Sequence, residues 1–304
     1  VKWETSQADV LNPAGGFMSN FDYTMQFMVG CPGGCSYCYV ISGYRLTPWS
    51  VKGEQGRTWG YVVRQKARAI EKFKRHLDRG DLADKTIYWS GITDPYAAPP
   101  YLTQPLWQVL IEAAPELQPR RIAVQTRFRP DRDAELIARY EEIASPSDGG
   151  PAVVISYSIG TDRNDLIRAW EKATPTFEMR LRAIEKLREA RLWVVPTLSP
   201  LGMWKDLSGT LKQFKAWEIP YITTLFFKPT TAASSTPRLF LNYLSEHYPN
   251  LLDPQWQADR VAEMQQVYGD LVLIGQDGFS SLTAPQKVET PRQTEGGEMY
   301  RDGC

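Results

Sequence analysis

The segment Cys31-Pro32-Gly33-Gly34-Cys35-Ser36-Tyr37-Cys38-Tyr39 holds the sharpest chemical signal in the chain. Thiolates at relative positions 0, 4 and 7 can converge on one centre, and Gly33 and Gly34 free the backbone for a close turn. Three thiolates with no fourth local ligand suit a [4Fe–4S] cluster with three irons held by protein and one left open. A zinc knuckle is one alternative, but structural zinc takes four protein ligands. The nearest histidine, His76, lies 38 residues beyond Cys38, inside a Lys/Arg-rich stretch. Three free thiols following a strand are the other alternative. The fourth cysteine, Cys304, ends the chain; it reads as a tail residue, or as a ligand or hydrogen donor if the flexible Gly303-Cys304 end reaches the site.

Placing such a loop requires a scaffold, and the sequence alternates in the way that builds one. Tyr23–Gly30 reads as an apolar strand running straight into the cysteines. Further strands are expected at Lys85–Ser90, Arg121–Thr126, Ala152–Ile159, Leu192–Leu198 and Tyr221–Phe227. Helical periodicity covers Tyr61–Leu77, Gln104–Ala114, Asp131–Ile143, Thr176–Ala190 and Asp206–Trp217. The β-branched run of Ala152–Ile159 suits a strand buried on both faces. Six such repeats imply a parallel sheet with right-handed crossovers. Their short spacing fits an incomplete (β/α)6 barrel, with a doubly wound open sheet as the runner-up. Three regions are expected: an irregular lead (1–20), the α/β barrel (21–229) and a helical C-terminal extension (230–304). The extension holds helices at Leu239–His247 and Gln255–Tyr268, a short apolar run at Leu271–Gly275 and a polar, mobile end from Ala284.

Composition narrows the function classes. In 304 residues, 35 Lys and Arg balance 35 Asp and Glu, so nothing demands a nucleic-acid partner, although a local basic groove can hide in a neutral total. The best such patch is the stretch Arg64–Arg79, with Lys66, Arg68, Lys72, Lys74 and Arg75. Glu71 and Asp78 interrupt it, and a solvated helix face explains it equally. Hydrophobic residues at 42% and charged residues at 23% exclude disorder. No apolar run reaches the ~18 residues of a membrane span. The start, Val1-Lys2-Trp3-Glu4, lacks a secretory signal and also a Met, as a trimmed or processed chain would. Cysteines this few and this clustered point to a reducing, cytoplasmic compartment.

With its aromatic residue before the last cysteine, the CxxxCxxC loop resembles the radical S-adenosylmethionine (SAM) superfamily. The wider match is to the branch related to spore photoproduct lyase. Leu11-Asn12-Pro13, Gly30-Cys31 through Cys38-Tyr39, Thr93-Asp94-Pro95-Tyr96, Thr126-Arg127 and Arg132-Asp133 carry it. So do Glu171, Pro175, Arg180-Leu181, Ile184 and Leu187, over roughly residues 10–230. The resemblance implies a partial (β/α)6 barrel with the cluster at its C-terminal mouth. The open iron would bind the amino and carboxylate groups of SAM. One electron would then break the sulfonium bond, releasing methionine and a 5′-deoxyadenosyl radical that takes hydrogen from the substrate. An electron donor such as flavodoxin or ferredoxin is implied.

Strand ends at the C-terminal face are where a barrel places functional groups. Ser90, Thr93 and Asp94 can reach the SAM amino group or ribose, although Asp-Pro-Tyr is also plain turn chemistry. Arg127 stands where the branch has a Lys that pairs with the SAM carboxylate, and a guanidinium fork suits that task; a solvated loop arginine is the alternative. Ser156 and Ser158 share one strand face, near the adenosine or filling tight barrel space. Asp162 and Glu171 can reach a ribose, or cap helices and pair with cations. Arg180 reads as structural unless its neighbours are acidic. Tyr37 and Tyr39 either pack the loop or touch adenine. Trp204, Trp217 and Trp256 can line a peptide groove, with core packing as the default.

The departures from the branch also matter. The lyase that names it uses a cysteine at the end of its second strand as hydrogen donor, whereas this chain reads Tyr88-Trp89-Ser90-Gly91-Ile92-Thr93. The neutral charge and the missing thiol favour a peptide substrate over DNA. Within the branch the chain is similar to the cyanobacterial peptide spliceases. These excise tyramine at a Tyr-Gly site of a ribosomal precursor peptide, with help from a separate small leader-binding protein. A DNA-lesion lyase and a non-catalytic iron–sulfur or zinc module are the alternatives. No catalytic side chain is singled out.

Overall fold

The computed structural model describes residues 1–43, 59–228 and 236–285. Its strands are β1 (Lys2–Ser6), β2 (Leu11–Pro13), β3 (Tyr23–Met25), β4 (Met28–Val29), β5 (Val62–Lys66) and β6 (Thr86–Trp89). They continue with β7 (Arg121–Thr126), β8 (Val153–Ser158), β9 (Trp193–Leu198), β10 (Ile222–Thr224) and β11 (Val272–Ile274). An eight-stranded sheet runs in the order β11-β10-β9-β8-β7-β6-β3-β2. Every pairing from β3 to β11 is parallel, and β2 closes one edge antiparallel to β3. This is the partial barrel that the six β–α repeats anticipated.

The period of two along each strand sorts side chains to two faces. Ile122, Val124, Val153, Ile155, Tyr157, Val194 and Leu198 face the main core beneath the surrounding helices. Ala123, Val154 and Val195 point inward with Tyr88 and Tyr221. Two residues further along, the inward positions turn polar: Gln125, Ser156 and Thr197. The lumen is therefore apolar at its base and lined with hydroxyl and amide groups toward the C-terminal strand ends.

The helices pack as amphipathic covers. Helix α1 (Tyr39–Gly43) follows the cysteines, and α2 (Ala69–Asp78), α3 (Pro100–Glu112) and α4 (Ala134–Ile143) flank the first crossovers. Helices α5 (Asn164–Trp170), α6 (Phe177–Glu189) and α7 (Leu207–Ala216) flank the later ones. The α6 start is capped by Thr176, which accepts from the Met179 amide, and Ala183, Ile184 and Leu187 bury its inner face. Past residue 236 come α8 (Arg238–His247), α9 (Pro254–Tyr268) and α10 (Gly275–Ser280).

Three local readings of the sequence change. Tyr61–Leu77 is not one helix: Val62–Lys66 is β5, paired with β1 and β4 in a separate three-stranded sheet. Its β-branched Val62-Val63 pair has edges on both sides to bond to. The helix starts only at Ala69, after Arg68 takes a left-handed φ of 53°. The Tyr23–Gly30 strand splits at Gln26-Phe27, which sends β3 to the barrel and β4 to the small sheet. The lead is partly ordered as β1 and β2 rather than irregular.

The C-terminal segment contributes a further parallel strand, β11, and seals the base. Phe279 and Leu282 fill the inner apolar cluster. Arg121, fully buried, forks onto Asp148 at 2.9 and 2.8 Å and also donates to the Thr283 carbonyl. No helix among the described residues is long and apolar enough to cross a membrane.

Candidate functional site

The cysteine loop leaves β4 and lies across the C-terminal strand ends. Its tight course depends on a backbone-to-backbone approach of two glycines. Gly34 and Gly60 both have positive φ, and a Cβ on Gly60 would stand 2.8 Å from the Gly34 Cα. Cys31 and Cys35 are buried and Cys38 is partly so. Each sulfur faces an N–H donor. The Asp94 and Gly33 amides point at Cys31, the Val40 amide points at Cys38, and Arg127 Nη1 lies 3.7 Å from Cys35 Sγ.

Burial pushes all three thiols up to about 12, and ionising one opposes ionising the next. Three thiolates can therefore coexist here only beside added positive charge, which bound iron supplies. Among the described residues, no three His, Cys, Asp or Glu side chains converge tightly enough to hold a single metal ion. Three thiols whose sulfurs each face an N–H donor are a donor set that suits an iron–sulfur cluster.

Around the loop stand the other candidates. After β6, Ser90 Oγ donates to the Thr93 carbonyl at 3.3 Å, while Thr93 Oγ1 is buried with no partner among the described residues. The Asp94 carboxylate accepts from the Tyr96 amide (2.9 Å), Thr126 Oγ1 (2.6 Å) and the Arg127 amide (2.8 Å). These bonds lace the second and third strand ends together. They offset the burial that raises the Asp94 carboxyl. Tyr39 is 46% exposed, and its hydroxyl donates to the Gly91 carbonyl.

Arg127, at the end of β7, reaches Glu171 Oε1 at 3.1 Å and the Tyr37 hydroxyl. Glu171 Oε2 in turn accepts from Arg180 and, at 2.8 Å, from Thr174 Oγ1. Burial alone would raise the Glu171 carboxyl, but Arg180 and Arg127 outweigh it and hold it down to about 2. Burial also raises the Tyr37 phenol. The acidic neighbour that would give Arg180 more than a packing role is therefore Glu171.

Ser156 and Ser158 share the lumen face of β8. Ser156 Oγ lies 2.5 Å from Thr197 Oγ1, which also accepts from Thr223 at 2.9 Å. Ser158 Oγ accepts from Gln125 at 3.5 Å, and Tyr88 donates to the same Gln125. Sequence reading missed Tyr88, Gln125, Thr197 and Thr223. The signal was present in strand alternation, because each falls on the lumen face of its strand.

The remaining candidates among the described residues make other contacts. Asp162 accepts from the Lys205 and Asp206 amides ahead of α7. Trp204, Trp217 and Trp256 are half-buried against the main core. Cys304 falls outside the described residues. An aromatic group made of Trp170, Phe227, Phe240 and Tyr248 packs the extension onto the loop, with Phe240 at 5.8 Å from the Tyr37 ring.

Residues 25–203, more than half of the chain, match the model of the Radical SAM superfamily, and the three cysteines fall inside that span. Among solved structures, spore photoproduct lyase complexed with dinucleoside spore photoproduct superposes with a TM-score of 0.55 at 13% identity. The match covers 90% of this chain and 81% of that one. A doubly substituted spore photoproduct lyase with bound AdoMet and dinucleoside spore photoproduct gives 0.53 at 14% identity, again over 90% and 81%. At such identities the likeness establishes a shared fold. No curated protein matches the sequence.

Proposed function

This chain belongs to the radical SAM superfamily, and from that premise we propose that it modifies a ribosomal precursor peptide by cleaving backbone carbon bonds, excising tyramine at a Tyr-Gly site. Its cofactors are a [4Fe–4S] cluster and S-adenosylmethionine. Cys31, Cys35 and Cys38 hold the cluster, and Tyr37, Tyr39, Ser90, Thr93, Asp94, Arg127, Ser156 and Ser158 surround the nucleotide. When bound, the pair supplies one electron to a sulfonium bond and yields a 5′-deoxyadenosyl radical that abstracts hydrogen. The protein's own tasks are to orient, to bind and to keep water out. Among the described residues the Thr93 hydroxyl has no hydrogen-bond partner and is a polar group available to a ligand, and the C-terminal aromatics pack against the loop. Residues 21–229 are assigned to the barrel and 230–304 to an extension, of which β11 joins the barrel's sheet.

The observation that carries a peptide substrate over DNA is the fate of the most basic stretch. Arg64 pairs with Glu4 at 2.8 Å, and Lys74 pairs with Asp78 at 2.6 Å. Lys66 is buried and donates to the Asp9 carbonyl. Lys72 donates to the Gln7 and Ala8 carbonyls at 2.8 and 2.9 Å. The lead segment thus engages Arg64, Lys66 and Lys72, while Arg68, Lys74 and Arg75 of the same stretch are exposed. The absence of a thiol at Ser90-Gly91 likewise supports chemistry other than lesion repair.

The partners are the precursor peptide, a small leader-binding protein and a flavodoxin- or ferredoxin-type electron donor in a reducing, cytoplasmic compartment. Co-expression with a short precursor peptide encoded beside this chain, together with its leader-binding partner, tests the reading. Loss of a tyramine unit by mass spectrometry is expected. An unchanged peptide mass with all partners present contradicts it.

A further inference from the structure

We propose that Arg127 is a positioning residue of the iron–sulfur loop, whose guanidinium is locked onto Cys35 and sets the potential at which the cluster accepts its electron. This role is separate from any pairing with the carboxylate of S-adenosylmethionine. The inference rests on the reading that Cys31, Cys35 and Cys38 hold the cluster.

Arg127 is fastened at both ends. Its backbone amide donates to Asp94 Oδ2 at 2.8 Å, which fixes the start of the side chain. Its Nη1 stands 3.7 Å from Cys35 Sγ and 3.1 Å from Glu171 Oε1, and it also donates to the Tyr37 hydroxyl. The guanidinium carbon lies 5.4 Å from the Tyr37 ring centroid. Only 18% of the side chain is exposed, against 3% for Glu171.

Glu171 cannot swing aside to release it. Its second oxygen is held by Arg180 and Thr174, and Arg180 is itself fully buried and bonded to the Pro175 carbonyl at 3.0 Å and the Ser158 carbonyl at 3.3 Å. The Tyr37 ring is braced edge-on by Phe227 and Phe240 at 5.9 and 5.8 Å. The arginine thus already has a desolvated carboxylate partner. All three side-chain contacts run through Nη1, so the guanidinium stays on Cys35 and Glu171 whether or not a ligand carboxylate also reaches its fork.

The same geometry gives the guanidinium an electronic task. Reduction adds negative charge to the cluster and its ligand sulfurs, and a cationic N–H donor at a sulfur stabilises the reduced form. Removing the donor should make the cluster harder to reduce. Glu171 opposes this effect, so neutralising it should shift the potential the other way.

The test uses the full chain, reconstituted anaerobically as wild type, Arg127→Met, Arg127→Lys and Glu171→Gln. An EPR-monitored redox titration without SAM gives the potential, and calorimetry gives the SAM dissociation constant. Arg127→Met should keep its iron and move to a more negative potential in the titration without SAM, whether or not its SAM affinity also changes. Arg127→Lys should recover part of the shift, and Glu171→Gln should move to a more positive potential. An unchanged potential in Arg127→Met, with or without weakened SAM binding, overturns the proposal. If Arg127→Met fails to hold iron, Arg127→Lys decides by the same criterion, a wild-type potential again overturning it. Failure of the wild type to take up a cluster would instead remove the reading on which the proposal rests.

Discussion

A carboxylate that is 3% exposed and faces two guanidinium groups is an unusual thing to bury, and Glu171 makes its cost measurable. Removing one member of such a buried set leaves uncompensated charge, so Glu171→Gln should destabilise the fold by about 3–5 kcal/mol in urea denaturation. The exposed Arg163–Asp165 pair at 2.6 Å is the contrast: solvent screens it, so Asp165→Asn should leave the urea midpoint nearly unchanged. Equal losses at the two sites would refute the distinction. Lys66 gives a pH signature. Burial lowers its ammonium from 10.5 to about 8, so between those values the unfolded chain binds a proton that the folded chain has shed. Stability should therefore rise with pH across that window, by up to about 3 kcal/mol. Urea midpoints at pH 7.5 and pH 10, set against Lys66→Met, check it; parallel behaviour of the two proteins contradicts it. The three cysteines were legible in sequence because their spacing is local. The Arg127–Glu171–Arg180 set was not, because its members come from three separate elements that only the folded barrel brings together.

Elements differ in how openly they announce themselves. The central strands β7, β8 and β9 were plain because burial on both faces makes them continuous apolar runs. β5 was hidden inside a helical pattern, since its pairing partners are distant β1 and a two-residue β4. The extension's hold on the cysteine loop was equally hidden, because the rings that meet come from both ends of the chain. Phe240 is 7% exposed and touches Tyr37, Trp170 and Phe227. Phe240→Ala should cost about 3 kcal/mol or more and should speed iron loss from the reconstituted protein in air. Iron retention equal to wild type would show that the extension does not shield the loop. The Gly34–Gly60 approach offers a second check: Gly60→Ala forces a Cβ against backbone at a positive φ, so the variant should bind less iron.

At the scale of the whole molecule, the barrel is closed at one end and chemically furnished at the other. Arg121, Asp148, Phe279 and Leu282 seal the base, while the mouth gathers the thiols, an unpartnered threonine and an exposed tyrosine. The β–α alternation was enough to foresee that functional groups would gather at the C-terminal strand ends, but not that the C-terminal segment would seal the base. Charge neutrality over 304 residues left room for a local basic groove, and the structure shows that Arg64, Lys66 and Lys72 of the most basic stretch are engaged by the lead segment. The most direct test is anaerobic reconstitution of the full chain, followed by reduction in the presence of S-adenosylmethionine. About four irons and four sulfides per chain, with methionine and 5′-deoxyadenosine formed and both lost in Cys35→Ala, is the expected result. Stoichiometric zinc without iron, or a reducible cluster that leaves S-adenosylmethionine intact, would contradict it.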